Sequence, residues 1–445
     1  MAWGQSGPRI KSQLERTSHI LLSPSTALSV QYALKNKMIS AEHAIASLEK
    51  INVYDTLIES FPSITFIIYA SEAKLDYGSV ILNKSEFDLA IERYSHLPNI
   101  LIIPTSNNDY ASAWARDWGP YSTSRTDMYV SLDGEDFLSE HQKIIAGVVS
   151  CTSCKDGPQR YLPSIPDGFT ENIQIILDEG FRMEGGNFMN TKSGICLTAE
   201  STNKGLLSLG CEEVIALPEL PGESTGHVDV FAKLINDKTV LVSKYESNDV
   251  QIKIKNEEDY FSCNDEQIEE NNWDDCEYIM EKSIPVTDRD ILTDVKGEAI
   301  KKSQDELIRL NKTKFDNFKN PELRDWVSDS NEVKDVLVSK GFDVVELLTP
   351  PPVAYVSRRV FIDKNGNKIK EDSIVNYSFP NYTNSLVVNG DVAMPVYDKF
   401  SNQSLNNKAI QTYSHYFKRV ISIPTDANVT LGGSIHCLTK DFQKE

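Results

Sequence analysis

One cysteine, two histidines and several carboxylates are gathered in four short stretches of unusual composition. Near the C-terminus, Leu431-Gly432-Gly433-Ser434-Ile435-His436-Cys437 places a thiol directly after an imidazole and behind paired glycines. Upstream stand Trp114-Ala115-Arg116-Asp117-Trp118-Gly119-Pro120, Glu184-Gly185-Gly186-Asn187 and Gly226-His227-Val228-Asp229. A thiolate attacks, an imidazole moves protons and carboxylates hold a cation, so the set suits nucleophilic attack on a cationic carbon.

Cys437 becomes a nucleophile only as thiolate, a form favoured beside cations. Gly432 and Gly433 would let the backbone approach a ligand closely. His436 is adjacent, yet neighbouring side chains of an extended segment point to opposite faces, which argues against it as the base for Cys437. His227 is the better candidate. Read as extended, Gly226–Asp229 puts His227 and Asp229 on one face. Asp117 lies beside Trp114 and Trp118; a carboxylate next to indole rings binds a planar cation through parallel hydrogen bonds, with a ring against the alkyl stem. The plainer alternative is that Asp117 pairs with Arg116 or caps a turn. Glu184 is either a third acidic wall or a residue that orients a neighbour. Cys151-Thr152-Ser153-Cys154 is a lone CxxC and reads as structural. No His and Cys cluster has metal-ligand spacing, so no metal is expected, and the chemistry requires no organic cofactor.

These stretches need a scaffold. After an entry segment over 1–19 that reads as loose, Ile20–Pro24 reads as a short strand ended by proline. Ala41–Phe61 has helical spacing, Ile64–Ala70 and Asn99–Thr105 are buried-strand runs, and Ser85 caps a helix to Tyr94. The rhythm recurs. Strands are expected at Lys143–Ser150, Ile173–Leu177 and Glu213–Leu217, with hairpins at Val228–Lys244 (turning at Asn236-Asp237) and Asn384–Val396 (turning at Gly390-Asp391). Asn331–Lys340 reads as a helix closed by Gly341 and followed by a strand at Val344–Leu348. Ile410–Phe417 reads as a helix and Val420–Pro424 as the last strand. The chain is thus a repeated helix–strand–loop module, with the chemistry at the ends of strands in separate modules.

One region breaks the pattern. From Asn256 to Glu281 there are 11 acidic residues and no Lys or Arg. With the mixed-charge segment that follows, 250–328 reads as an insertion of helical or irregular structure, a solvated surface or a docking face for a basic partner. The net charge of −20 argues against nucleic acid and anionic membrane surfaces and suits a cationic small molecule or basic protein segment. With 40% hydrophobic and 25% charged residues, the chain is globular in composition. Seven cysteines, an odd number at irregular spacing, suggest free thiols in a reducing compartment. No secretory signal is seen at Met1–Ser6, so a cytoplasmic location is expected, with export by another route left open.

Taken together, WARDWGP (114–120), EGGN (184–187), GHVD (226–229), YTNS (382–385) and GGSIHC (432–437) resemble, in order, the motifs of the agmatine deiminase and Porphyromonas-type peptidylarginine deiminase family. This family lies in the guanidino-group-modifying superfamily. The resemblance runs from about 110 to 440 and implies a single catalytic domain over 1–445, a five-module pseudo-fivefold α/β propeller with the acidic insertion inside it. It implies Cys437 as nucleophile, His227 as general acid and base, and Asp117 and Asp229 as guanidinium ligands. Trp114, Asn384, Glu184 and Asn187 become substrate-binding candidates. The implied substrate is a guanidino group, with arginine (peptidyl or free) ahead of agmatine. An amidinotransferase and a non-enzymatic binder of arginine-rich partners are the other classes.

Overall fold

The computed structural model describes residues 9–22, 27–38, 44–76, 81–105, 115–118, 121–122, 124, 129–130, 185–199, 206–207, 210–220, 223, 225–247, 251–264, 267–268, 276–278 and 325–442. The expected strands at Lys143–Ser150 and Ile173–Leu177, the 151–154 motif, Trp114 and Glu184 fall outside them.

Three sheets repeat one plan. An antiparallel pair of strands is followed by a third strand, parallel to the second. The triplets are Met189–Asn190, Ile195–Ala199 and Glu213–Leu217; Ala232–Leu234, Thr239–Lys244 and Asp343–Leu348; and Leu386–Val388, Asp391–Val396 and Val420–Pro424. The fourth sheet closes the chain on itself. Thr439–Phe442 runs antiparallel to His19–Leu22, which pairs in parallel with Thr65–Ser71, and that strand pairs in parallel with Ile100–Thr105. Parallel neighbours need a crossover, and helices supply it: Ile45–Ser60 before the Thr65 strand, Trp326–Ser339 before the Asp343 strand and Gln403–Tyr416 before the Val420 strand.

Local chemistry fixes these elements. The Glu86–Tyr94 helix starts at Ser85 with a reciprocal capping box to Asp88. Asn402 caps Gln403–Tyr416 by accepting from Leu405 N, and Asp325 caps Trp326–Ser339. The Leu386 hairpin turns at Asn389 and Gly390, both at positive φ (51° and 90°), one residue earlier than the sequence suggests. Asn236 Oδ1 accepts from Lys238 and Thr239 N–H at the expected turn of the other hairpin. Apolar inner faces bury Phe66, Ile68, Ile102, Tyr54 and Leu57 in one core and Val240, Val242, Val333 and Leu337 in another.

Three expectations are corrected, and one helix is added. The described part of the entry segment, 9–19, is pinned rather than loose: Ser12 Oγ donates to Asn190 O, Asn190 Nδ2 donates to Ile10 O, and Thr17 and Asn389 exchange two hydrogen bonds. The helix Ala27–Lys35 was not foreseen; its Leu28 and Ser29 N–H groups end on the buried carboxylate of Glu86. The start of the insertion is neither helical nor irregular. Gln251–Ser262 is a long strand, parallel to Val353–Ile362, which pairs in turn with Lys368–Ser378. Finally, four cysteines read as free thiols are paired, Cys196 with Cys211 and Cys263 with Cys276.

Candidate active site

The reactive stretches share one position in the plan. His227–Asp229 precedes the strand Ala232–Leu234, Asn384 precedes Leu386–Val388, His436-Cys437 precedes Thr439–Phe442, and Gly185–Asn187 precedes Met189–Asn190. Arg116 and Asp117 lie in the short helix Ala115–Trp118, ahead of the antiparallel pair Tyr121–Ser122 and Tyr129–Val130. The chemistry therefore sits just before the first strand of these antiparallel pairs, not at strand ends generally. Turns there let side chains from separate modules converge.

Cys437 is buried, 4% exposed, in the turn before the last strand. Asn384 Nδ2 donates to its Sγ at 3.0 Å, and the thiol points to Asp229 Oδ2 at 3.6 Å. The other end of the Asn384 amide holds the same turn: Oδ1 accepts from His436 N at 3.0 Å and Cys437 N at 3.3 Å. Asn384 is itself fixed, because its N–H donates to Asn381 Oδ1 at 2.8 Å, while Tyr397 Oη donates to Asn381 O. The adjacent Thr383 hydroxyl donates to Val230 O at 2.8 Å, locking this stretch to the one carrying Asp229. One asparagine thus orients both the backbone and the sulfur of the candidate nucleophile.

Asp229 is completely buried. Burial raises its pKa, and the charges of His227, Arg116 and Lys233 oppose that rise. His436 Nδ1 lies 2.6 Å from Asp229 Oδ2. The extended geometry expected for both motifs is not found. Val228–Val230 is a turn of 3₁₀ helix, and residues 435–438 are a turn in which Leu438 N donates to Ser434 O. In this turn the opposite-face rule for extended neighbours does not apply to His436 and Cys437, and His436 faces Asp229.

The glycines of Gly185-Gly186 have a packing reason. A Cβ on Gly186 would fall 2.3 Å from His227 Nδ1, and one on Gly185 would fall 2.0 Å from Arg116 O. The 185–187 turn is wedged between the Asp117 helix and the His227–Asp229 turn, and only glycine permits the approach.

Arg116 is a site residue the sequence reading treated only as a possible partner for Asp117. Its side chain is 2% exposed and pairs with Asp441, 6% exposed, at 2.7 Å. Its Nε donates to His436 O at 3.2 Å and its backbone N–H to Cys437 O at 3.2 Å. Lys233 and Lys440 are also buried nearby. Burial, with the Arg116 charge, brings the Lys233 pKa down to about 7, against the pull of Asp441, Asp229 and Cys437. Tyr121 lies against the Lys440 ammonium and donates to Gly185 O at 3.1 Å. A cysteine buried among cations is in the environment that favours thiolate.

The structure therefore brings together Cys437, Asp229 and Asn384, and puts His227 against the Gly186 turn. The backbone of Asp117 stands in the adjoining helix. Asn187 is placed differently: its amide donates to Ala199 O at 3.1 Å and accepts from Ala199 N at 2.6 Å, so it anchors a strand instead of facing a ligand. Arg116 left no sequence signal beyond its place inside a motif, and Lys233 none beyond following one by four residues. Among the described residues, no group of three or more His, Cys, Asp or Glu side chains has the arrangement of a metal site.

Comparison with known proteins agrees with the motif reading. Residues 313–442 match the model of the Porphyromonas-type peptidyl-arginine deiminase family. No curated protein sequence matches the chain. Among solved structures, one provisionally described as a peptidyl-arginine deiminase is similar at 14% identity and a TM-score of 0.54, covering 98% of both chains. Agmatine deiminase from C. jejuni is similar at 14% identity and a TM-score of 0.52, covering 98% of this chain and 96% of that one. A cysteine-to-serine variant of that enzyme with substrate bound gives 13% identity and a TM-score of 0.51, covering 98% and 97%. At these identities the likeness is one of fold. The chain thus has an α/β fold like that of the agmatine deiminases, and its C-terminal part matches the Porphyromonas-type peptidyl-arginine deiminase family.

Proposed function

We propose that the protein is a hydrolytic deiminase of guanidino groups, converting arginine, peptidyl or free, to citrulline and ammonia. The observation that carries this reading is the buried Cys437 Sγ, held 3.0 Å from Asn384 Nδ2 and 3.6 Å from Asp229 Oδ2 by motifs far apart in sequence. The fold and the family match over 313–442 support it.

The chemistry follows from the groups present. A guanidinium is planar, cationic and rich in donors. Asp229 and Asp117 hold it and keep its carbon electrophilic, Trp114 packs its stem, and Glu184 is a third acidic wall or orients a neighbour. The Cys437 thiolate forms a C–S bond to that carbon. The C–N bond breaks as His227 gives a proton to the departing ammonia, leaving an amidino thioether. His227 then takes a proton from water, which attacks the same carbon. The C–S bond breaks, the thiolate returns and a ureido product leaves. No oxidant, metal or cofactor enters the balance.

The same fold family contains agmatine deiminases, so agmatine giving N-carbamoylputrescine is the second reading. The acidic 256–281 segment favours a basic protein substrate over a small diamine precursor. An amidinotransferase would transfer the amidino group to an amine instead of water. A non-enzymatic binder of arginine-rich partners would show none of this turnover. We also read the whole chain as one catalytic domain with 250–328 inserted. The five positions before antiparallel strand pairs support a five-module propeller.

The test is ammonia release and ureido formation from agmatine, free arginine, and peptides with internal or C-terminal arginine. Wild type should release ammonia and form a ureido product from an arginine substrate, and Cys437→Ala should abolish both. Full turnover by Cys437→Ala would overturn the mechanism, and binding without turnover in wild type would favour the binder.

A further inference from the structure

We propose that Gln13 and His436 form a one-way hydrogen-bond relay that aims Asp229, making both of them positioning residues of the site; the catalytic purpose of the relay rests on the deiminase reading above. His436 Nδ1 lies 2.6 Å from Asp229 Oδ2, and His436 Nε2 lies 3.3 Å from Gln13 Oε1. His436 is 1% exposed. Charged and titratable groups surround it: Arg116 from the short helix, itself paired with Asp441, His227 and Asp229 from the turn, Lys233 from its strand, Cys437 beside it, and Lys440 from the last strand. Burial, reinforced by the four basic groups, pushes the imidazole pKa well below its ordinary value and so favours the neutral ring.

A neutral imidazole carries one N–H. Asp229 Oδ2 can only accept as a carboxylate, so the proton is on Nδ1 and Nε2 presents a lone pair. An amide oxygen facing that lone pair is two acceptors in opposition. The amide nitrogen Gln13 Nε2 has no hydrogen-bond partner among the described residues. With the Gln13 amide turned so that its nitrogen faces the ring, both defects vanish at once. Gln13 Nε2–H then donates to His436 Nε2, and His436 Nδ1–H donates to Asp229 Oδ2.

The polarity of this relay has a use. Asp229 Oδ2 is held by a neutral donor, so its carboxylate is oriented without being neutralised, as it would be by a lysine or arginine ion pair. Asp229 Oδ1 has no partner among the described residues and is the oxygen left for a guanidinium. Gln13 reaches the site because its segment is fastened on both sides, by Ser12 to Asn190 and by Thr17 to Asn389. An N-terminal segment thereby controls a carboxylate more than two hundred residues away in sequence.

The relay predicts a tautomer, so it can be tested without turnover. In protein labelled with 15N-histidine, with His436 assigned by its loss in His436→Asn, the ring should be the neutral Nδ1–H tautomer and remain so from pH 5.5 to 8.5. An Nε2–H tautomer, or an ordinary titration in that range, overturns the proposal. Gln13→Glu puts a carboxylate at Nε2 and should make His436 titrate there, shifting the pH profile of kcat/KM; no shift in either counts against it. His436→Asn keeps an amide donor near the Nδ1 position and should retain at least ten-fold more kcat than His436→Leu. Equal or reversed activities would indicate packing alone and overturn the positioning role. If wild type releases no ammonia from any guanidino substrate, the deiminase reading fails, while the ring spectra still decide the relay.

Discussion

Asn384 offers a substitution in which electrostatics and packing predict opposite rankings. Its amide donates to Cys437 Sγ at 3.0 Å and accepts from the His436 and Cys437 N–H groups. Asn384→Asp preserves shape and both acceptor contacts but puts a carboxylate oxygen against the sulfur. At 3.0 Å and an effective dielectric of about 20, two negative charges repel by roughly 5 kcal/mol. That is about 4 pKa units, so the pair carries one charge at neutral pH, and it stays on the carboxylate. The thiolate population, and with it kcat, should fall about 10³-fold or more. Asn384→Ala removes the donor without adding a charge. Losing a hydrogen bond to a charged group costs about 1.5–3 kcal/mol, or roughly 10–150-fold. The isosteric aspartate should therefore be the worse variant. The assay is single-turnover ammonia release at several pH values, with thermal melting to confirm folding. If Asn384→Asp is equal to or better than Asn384→Ala, Asn384 acts by anchoring the backbone turn, and a thiolate held by its amide is refuted.

Gly186→Ala should reduce kcat by about 100-fold or more while the fold persists, since its Cβ would lie 2.3 Å from His227 Nδ1 and displace the proposed acid and base. Circular dichroism and turnover together check this. Lys233 has its folded pKa lowered from 10.5 to about 7, so the unfolded chain binds the extra proton between those values and stability rises with pH across the window. Lys233→Met should flatten that rise by on the order of 1 kcal/mol per pH unit, measured by urea unfolding at pH 7 and pH 9. Cys196 and Cys211 close a separation of 15 residues, and Cys196→Ser should destabilise the oxidised protein by about 3 kcal/mol. Thiol titration of the unreduced, denatured wild type should find all four of Cys196, Cys211, Cys263 and Cys276 unreactive; reactive thiols at these positions would contradict the pairing.

Some of this was legible in the sequence because it is local. The apolar run of Ile64–Ala70 became Thr65–Ser71, Ser85 caps its helix, and Val420–Pro424 is a strand with the bounds read from the sequence. The strand Gln251–Ser262 was not legible. It is rich in charge and shows no buried run, and its partner Val353–Ile362 lies about a hundred residues on. The disulfides were hidden for the same reason, since spacing does not reveal which thiols meet. At the site, residue types exposed Cys437, His227 and Asp229, but not the bonds that orient them. Arg116 looked like a neighbour for Asp117. Its importance lies in contacts to His436 O, Cys437 O and Asp441, more than three hundred residues away. His436 was set aside on an assumed extended backbone that the turn at 435–438 replaces.

The charges also divide into two scales that serve different steps. The chain as a whole carries −20, which draws a cationic substrate toward it. Around Cys437 the balance reverses: Arg116, Lys233 and Lys440 are buried beside Asp229 and Asp441. Buried cations in excess of buried carboxylates are expensive unless another anion completes them. A Cys437 thiolate is such an anion, and a lysine with its pKa near 7 can yield its proton when a cationic guanidinium arrives. Arg116 cannot, and its charge is answered locally by Asp441 and the His436 carbonyl. The site can therefore accept a cation beside Asp229 without a standing repulsion, and its buried cations oppose the repulsion that Asp229 Oδ2, 3.6 Å from Sγ, exerts on a thiolate.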